Sequence, residues 1–99
     1  MIKRVLRLLG PQWAIEVLYS LEVTPMRYTD LQHVISVATD QKVHSSTLTA
    51  ALEHLEARQL IGHSAQYYRL TDGGQSLLRD LLRRVEDWGD RHPNIINEP

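Results

Sequence analysis

Apolar residues recur at helical spacing along most of the chain, and the segment that begins at Ser45 shows this pattern most clearly. Its apolar positions are Leu48, Ala51, Leu52 and Leu55. Because a spacing of three and four residues places side chains on one side of a helix, we expect these residues to face a core. The opposite, outward face would then carry Ser46, Thr49, Ala50 and Glu53.

The pattern changes from helical to alternating after Arg58. Alternation runs across residues 60–63 and 67–70, and residues 64–66 between them are polar or small, as in a turn. These features predict a β-hairpin directly after the helix. A helix followed by a hairpin is the DNA-reading half of a winged helix-turn-helix, so residues 45–71 are predicted to form a recognition helix and a wing.

Two helices are predicted upstream, on either side of Gly10 and Pro11, since glycine ends helices and proline suits a first turn. The first has an apolar stripe of Ile2, Val5, Leu6 and Leu9. The second extends to about Thr24-Pro25, with Glu16 and Ser20 predicted to face outward. Its predicted inward residues are Trp13, Ala14, Val17, Leu18 and Leu21.

A short helix is predicted next, beginning at Thr29. Thr29 and Gln32 have the spacing of a capping box, and Leu31, Val34 and Ile35 follow at helical spacing. The apolar spacing fails over residues 36–43, which predicts a turn. Ser45, which precedes the first apolar residue of the recognition helix, is predicted to be its N-cap.

A long amphipathic helix is predicted from the cap at Thr71-Asp72 onward. Its apolar stripe is Leu77, Leu78, Leu81, Leu82, Val85 and Trp88. A three-helix core cannot cover both this stripe and the N-terminal one, and uncovered apolar surface usually marks an interface. We therefore expect one mainly α domain over residues 1–91, with a small β-hairpin wing, N- and C-terminal dimerisation helices, and a flexible tail over residues 92–99.

Composition narrows the function classes. The 99 residues contain 11 Lys and Arg against 12 Asp and Glu, for a net charge of −1, so DNA contact has to come from a local patch. The absence of cysteine excludes thiolate metal sites and cysteine nucleophiles. No segment has the length and apolar character of a signal or membrane span, so a cytoplasmic protein is expected.

Catalytic and metal sites have little support in the sequence. There is no phosphate-binding loop, no recognisable nucleophile setting and no carboxylate pair placed in a predicted cleft, and Asp72-Gly73-Gly74 is interpreted as a turn and helix start. The histidines lack close ligand spacing; they are His33, His44, His54, His63 and His92. We therefore predict no enzyme activity, no metal and no cofactor.

The order of elements and several short motifs resemble the HxlR family of bacterial and archaeal winged-helix regulators, relatives of the MarR group, over about residues 8–89. The matching positions are Leu9-Gly10, Trp13, Arg27-Tyr28, Leu31, Leu48-Thr49, Leu52, Leu55-Glu56, Leu60-Ile61, Tyr68, Leu70-Thr71, Gly74 and Trp88. The resemblance implies a homodimer in which the first and last helices pack together. It also implies that two recognition helices enter successive major grooves of a near-palindromic site.

The chain departs from the family pattern at its DNA-reading segment. Ser46 and Ala51 stand where the family usually has basic residues, and His44 stands where it usually has serine. The wing is shorter than usual in the family, and Gly62-His63 stands where the family commonly has an arginine. The turn before the recognition helix is longer than usual. These departures predict readout through hydroxyl and methyl groups, with weak non-specific affinity.

The candidate DNA-binding residues lie in the turn, the recognition helix and the wing. They are Lys42, Ser45, Ser46, Thr47, Thr49, Ala50, His63, Gln66 and Arg69, with Arg27 as a further phosphate contact. Hydroxyls can bond phosphates or base edges, and threonine and alanine methyls can touch thymine methyls. The alternative is ordinary capping and solvated surface. Arg58 is interpreted as a helix-end cation and Glu53 as solvated.

The predicted dimer interface consists of Ile2, Val5, Leu6, Leu9, Leu77, Leu78, Leu81, Leu82, Val85 and Trp88. Trp13 and Trp88 could line an effector pocket, since MarR-like regulators often bind small molecules, although core packing explains both. Two functions remain open. One is a dimeric regulator that binds promoter DNA and responds to a small-molecule effector. The other is a winged helix repurposed to bind a protein or a ligand.

Overall fold

The computed structural model describes residues 10–91, with side chains through residue 84. The elements follow in the order α1 (Ala14–Val23), α2 (Tyr28–Thr39), α3 (Ser45–Ala57), β1 (Ile61–Ser64), β2 (Tyr67–Leu70) and α4 (Asp72–Arg91). This mainly α arrangement with a two-stranded antiparallel hairpin confirms the predicted winged helix-turn-helix. The predicted stripe of Ile2, Val5, Leu6 and Leu9 and the tail over residues 92–99 lie outside the described residues.

The core contains side chains from every helix and from the start of the hairpin. Its buried residues are Trp13, Ala14, Val17, Leu18, Leu21, Leu31, Ile35, Val43, Leu48, Ala51, Leu52, Leu55, Leu60, Ile61 and Leu78. All the predicted inward residues of α1 and α3 are among them. Helical spacing was therefore a reliable guide wherever the apolar stripe was continuous.

Helix α1 begins later than the proline pattern suggested. Residues 11–13 form a turn, in which the Ala14 N–H donates to the Pro11 carbonyl over 3.3 Å, and Trp13 adopts a left-handed backbone with φ of 77°. The Trp13 side chain is buried, with 5% of its surface exposed. Trp13 is therefore a core residue, in agreement with the interpretation of its apolar stripe in the sequence.

Helix α2 differs from its prediction at both ends. It begins at Tyr28, and the Asp30 carboxylate accepts the Arg27 N–H over 3.2 Å, so the predicted capping box of Thr29 and Gln32 is wrong. It continues to Thr39, beyond the predicted end near residue 36, and Val37 in this last turn faces solvent. The helix ends at Asp40, which has a left-handed backbone, a conformation that aspartate tolerates.

Helix α3 begins with Ser45 as its first helical residue, so the prediction of Ser45 as N-cap is wrong by one position. His44 is the N-cap, with an extended backbone, and its carbonyl accepts the Leu48 N–H over 3.0 Å. The residue before the cap, Val43, is buried in the core. His44 supplies no side-chain cap.

The C-terminal end of α3 forms a Schellman motif. The Leu60 N–H donates to the Leu55 carbonyl over 3.0 Å, and the Gln59 N–H donates to the Glu56 carbonyl over 2.9 Å. Gln59 has the left-handed backbone that this motif requires, with φ of 59°. The buried side chains of Leu55 and Leu60 accompany it. The motif directs the chain from α3 straight into the hairpin.

The hairpin is tighter than predicted. Ile61 is opposite Leu70 and Ser64 is opposite Tyr67, which leaves only Ala65 and Gln66 in the turn. Both turn residues have positive φ, 51° and 69°, as in a type I′ turn. A two-residue turn of this type matches the twist of the strands, so the wing is short and regular.

Helix α4 starts where it closely approaches the base of the hairpin. The Gly74 N–H donates to Thr71 Oγ1 over 3.1 Å, which confirms Thr71 as the cap. Thr71 Oγ1 in turn donates to the Gln59 carbonyl over 2.6 Å. Gly74 is buried, and a Cβ there would overlap the carbonyl oxygen of Leu60. Glycine is required here because the two backbones nearly touch.

Candidate nucleic-acid interface

The outward face of α3 exposes small polar and methyl groups. Ser45, Ser46, Thr49 and Ala50 are exposed, whereas the side chain of Thr47 is half-buried. We call the four exposed residues the reading face. The core-facing residues of α3 are almost fully buried. The helix is therefore packed against the core on one side and exposes the reading face to solvent on the other. This is the placement that base contact in a major groove requires.

Two hydrogen bonds from α2 hold the start of α3. Tyr28 donates its hydroxyl proton to the Ser45 carbonyl over 3.0 Å, and Gln32 Nε2 donates to the Val43 carbonyl over 2.8 Å. The two donors are one helical turn apart, and their acceptors flank the cap residue His44. The Tyr28 hydroxyl oxygen also accepts from Thr49 Oγ1 over 3.4 Å. Neither positioning role was predicted from the sequence, in which the four-residue spacing of Tyr28 and Gln32 is the one available signal.

Positive charge lies beside the reading face, not on it. Helix α3 contains no Lys or Arg between Ser45 and Ala57 and carries Glu53 and Glu56. Lys42 in the preceding turn is exposed, as is Arg69 on β2. Lys42 precedes α3 and Arg69 lies opposite Gly62 in the wing, positions compatible with phosphate contacts, which position a protein without reading bases. Contact of either residue with DNA remains a prediction.

Two other arginines make internal contacts. The Arg27 guanidinium lies 5.1 Å from the centre of the Tyr67 ring, a cation–π distance. Arg58 Nη1 donates to the His54 carbonyl over 3.3 Å, at the C-terminal end of α3. The second contact agrees with the structural interpretation of Arg58, because a cation there offsets the negative end of the helix dipole.

The wing contacts the rest of the domain through Tyr68 and His63. Met26 and Tyr68 exchange two backbone hydrogen bonds of 3.0 and 2.7 Å, which adds a bridge beside β2. The His63 ring stacks on Tyr68 with 4.0 Å between centroids, and His63 Nδ1 lies 3.8 Å from Glu56 Oε1. Burial, and then the Glu56 charge, raise the pKa of the Tyr68 hydroxyl. His63 is thus engaged within the fold, and Gln66 is exposed at the tip.

The predicted interface residues of α4 differ in exposure. Leu78 is 2% exposed and belongs to the core of its own subunit, so it offers little surface to a partner. Leu77, Leu81 and Leu82 are only partly buried against that core. The side chains of Val85 and Trp88 lie outside the described residues. Ile15, Tyr19 and Val23 of α1 add an exposed apolar stripe.

A shallow cleft lies between the end of α1 and the first half of α4. It is lined by Glu22, Gln75, Leu78, Arg79 and Leu82. In the part of the chain that the structure describes, no three histidine, cysteine or acidic side chains are grouped so that they could hold a metal ion. None of the helices over the described residues is both long enough and apolar enough to cross a membrane.

Comparisons with known proteins agree with this architecture. The crystal structure of quinone-bound YodB from B. subtilis superposes with a TM-score of 0.75 and 21% sequence identity, and the match covers 91% of this chain and 96% of that chain. At this identity the likeness shows a shared fold. No curated protein sequence matched the chain.

The family comparison is more specific. The sequence model of the HxlR-like helix-turn-helix family matches residues 8–96, nearly the whole chain. This match includes the recognition helix, the wing and α4. It identifies the function class at the level of DNA binding and transcription control. The chain therefore belongs to the HxlR-like helix-turn-helix family of DNA-binding transcription regulators.

Proposed function

We propose that the chain acts in the cytoplasm as a homodimer that binds a near-palindromic promoter site and responds to a small-molecule effector. The observation that carries the DNA-binding part is the reading face. Its residues are exposed on a helix whose opposite side is fully packed, and α2 fixes its N-terminal end through Tyr28 and Gln32. Residues near the N-terminus of a recognition helix are those that reach base edges in this class of fold.

Salt dependence tests this proposal directly. A protein that makes about four phosphate contacts should lose DNA affinity with a log-log salt slope of about −3.6. Fluorescence anisotropy with a labelled fragment of the promoter region of its own gene, from low to physiological salt, measures this slope. A complete lack of binding at low salt would contradict the proposal.

The dimer is supported by apolar surface on two helices. Ile15 and Tyr19 of α1 are 42% and 45% exposed, and Leu77, Leu81 and Leu82 of α4 are only partly covered. A second copy would bury this surface, and a two-fold axis would place two reading faces about 34 Å apart, one helical turn of DNA.

Replacement of Leu81 by glutamate tests the dimer. The charge would be buried without a partner at the interface, so the subunits should separate. Analytical ultracentrifugation distinguishes the two states. Ser76→Glu places the same charge on an exposed position of α4 and should leave the dimer intact. A Leu81→Glu protein that still sediments as a dimer would remove this face from the interface.

An effector site is proposed in the cleft between α1 and α4. Glu22 and Arg79 bring opposite charges to a cleft with Leu78 and Leu82 in its wall, which suits a small molecule with polar groups on an apolar body. The structural neighbour YodB binds a quinone. Because this chain has no cysteine, a quinone could not add to a thiol here.

The charge of α3 favours a second candidate function. The helix carries Glu53 and Glu56 and no Lys or Arg, which opposes approach to phosphate. The same surface could instead dock a protein, in a winged helix repurposed from DNA binding. The anisotropy titration separates the two candidates, since a repurposed module shows no salt-dependent binding to any duplex.

A further inference from the structure

The hydroxyl groups of Tyr28 and Thr49 form a chain of hydrogen bonds between α2 and α3. The Tyr28 hydroxyl oxygen lies 3.0 Å from the Ser45 carbonyl oxygen and 3.4 Å from Thr49 Oγ1. A carbonyl oxygen can only accept, so the single proton of Tyr28 is committed to Ser45. Thr49 must therefore donate its own proton to Tyr28, because Tyr28 has no second proton to offer.

This arrangement restricts what Thr49 can offer to DNA. Thr49 is exposed on the reading face, and in this chain of hydrogen bonds it donates its only hydroxyl proton to Tyr28. The remaining lone pairs of Oγ1 can only accept a hydrogen bond. In the major groove, adenine N6 and cytosine N4 carry protons to donate, whereas guanine O6 and thymine O4 are acceptors. An acceptor at this position therefore favours adenine or cytosine over guanine or thymine.

Resting on the proposed DNA-binding function, we propose that Thr49 reads an amino-bearing base, adenine or cytosine, once in each half-site. Tyr28 is the positioning residue that sets this preference, because it holds the Thr49 hydroxyl as an acceptor. The Gln32 bond to Val43 supports the arrangement. It lies one turn along α2 from Tyr28 and fixes the chain just before α3, which keeps Thr49 aligned with the tyrosine.

The test compares Tyr28→Phe with the wild-type protein on a bound promoter fragment in which every base pair is replaced in turn. The wild-type protein should lose about fivefold in affinity at one position per half-site when adenine or cytosine gives way to a keto base, about the worth of one hydrogen bond. Where the base is adenine, purine, which lacks the N6 amino group, should cause the same loss.

In Tyr28→Phe the freed Thr49 hydroxyl can rotate and donate, so the difference between amino and keto bases at that position should fall within about twofold. The salt slope should not change, because no phosphate contact is lost. Thr49→Val removes the hydroxyl and should abolish the preference without the tyrosine being altered. Thr24→Val makes the same change as Thr49→Val at an exposed position after α1 and should keep the wild-type preference.

The outcomes separate this inference from the function on which it rests. Retention of the full wild-type preference in Tyr28→Phe or in Thr49→Val overturns the inference while DNA binding stands. An equal loss of affinity for every sequence also overturns it, since that result indicates only a structural role for Tyr28. Absence of duplex binding by the wild-type protein overturns both. Circular dichroism shows whether each variant is folded, and Thr49→Val decides the case if Tyr28→Phe is not.

Discussion

The recognition helix and the wing form one surface of the molecule but use their polar side chains in different ways. On the reading face of α3, Ser46 and Ala50 are exposed and only Thr49 has a side-chain contact with α2. In the wing, His63 stacks on Tyr68 and lies near Glu56, and Tyr67 lies under the Arg27 guanidinium. The exposed polar groups of the helix are therefore free to contact DNA, whereas most polar side chains of the wing make contacts within the domain.

This difference assigns separate roles to two elements that the sequence grouped together. Base recognition should depend on α3, while the wing should affect chiefly stability and the placement of Arg69 and Gln66 near the DNA backbone. Substitutions that alter one role without the other test the assignment.

Gly74→Ala should destabilise the packing of the wing base against α4 more than any other substitution considered. A Cβ at this position would overlap the Leu60 carbonyl oxygen, so α4 and the base of the hairpin would have to separate. We expect a loss of about 3 kcal/mol in the free energy of unfolding, the upper range for overpacking a tight site. Urea denaturation followed by circular dichroism measures this change.

Gly73→Ala is the matched control. A Cβ at Gly73 would be in ordinary contact, 3.5 Å from the Gln59 carbonyl oxygen. Because alanine has a higher helix propensity than glycine, stability should be unchanged or should rise by about 0.5 kcal/mol. Equal destabilisation by both substitutions would show that the close approach at Gly74 has no special importance.

The assignment of base reading to α3 is tested by placing the same charge on the helix and on the wing. Ser46→Glu puts a carboxylate on the reading face and should weaken DNA binding about tenfold, whereas Gln66→Glu at the wing tip should cost less than about threefold. Ser46→Glu should not unfold the protein, because a negative charge suits the first turn of a helix. Anisotropy gives both affinities, and a larger loss from Gln66→Glu would reverse the assignment.

The smallest expected effect concerns the wing at alkaline pH. Burial and the Glu56 charge raise the pKa of Tyr68 above that of an unfolded tyrosine, about 10. As pH rises past 10, the unfolded chain releases this proton first, so the Tyr68 contribution to stability is present below that pH and is lost above it. Tyr68→Phe should reduce the alkaline loss of stability, and Glu56→Gln should reduce it in part. Denaturation at pH 9 and pH 11 compares them.

The sequence predicted the fold well because its signals were repeated along the chain. Four apolar residues at helical spacing in α3 and alternation in the hairpin each leave only one pattern that buries the apolar residues. Helix ends were predicted less well. A few local hydrogen bonds decide them, such as the bond from the Arg27 N–H to the Asp30 carboxylate, and several residues near each end could have supplied such a bond.

The site was only partly predictable for a related reason. Exposure of Ser46 and Thr49 followed from helical spacing, but the contact of Tyr28 with Ser45 spans 17 residues and depends on how α2 crosses α3. The engagement of His63 by Tyr68 depends in the same way on hairpin register. Contacts of this kind arise from tertiary packing, which no local pattern contains.

The close approach of Gly74 to Leu60 also affects the direction in which α4 leaves the domain. The helix has 20 residues and is therefore about 30 Å long, so a tilt of about 10° near Gly74 would move its far end by about 5 Å. The hydrogen of Gly74, in place of a methyl group, thus helps to fix the direction of the whole helix, together with the burial of Leu78. In an assembly joined through α4, this contact would influence the distance between the two reading faces.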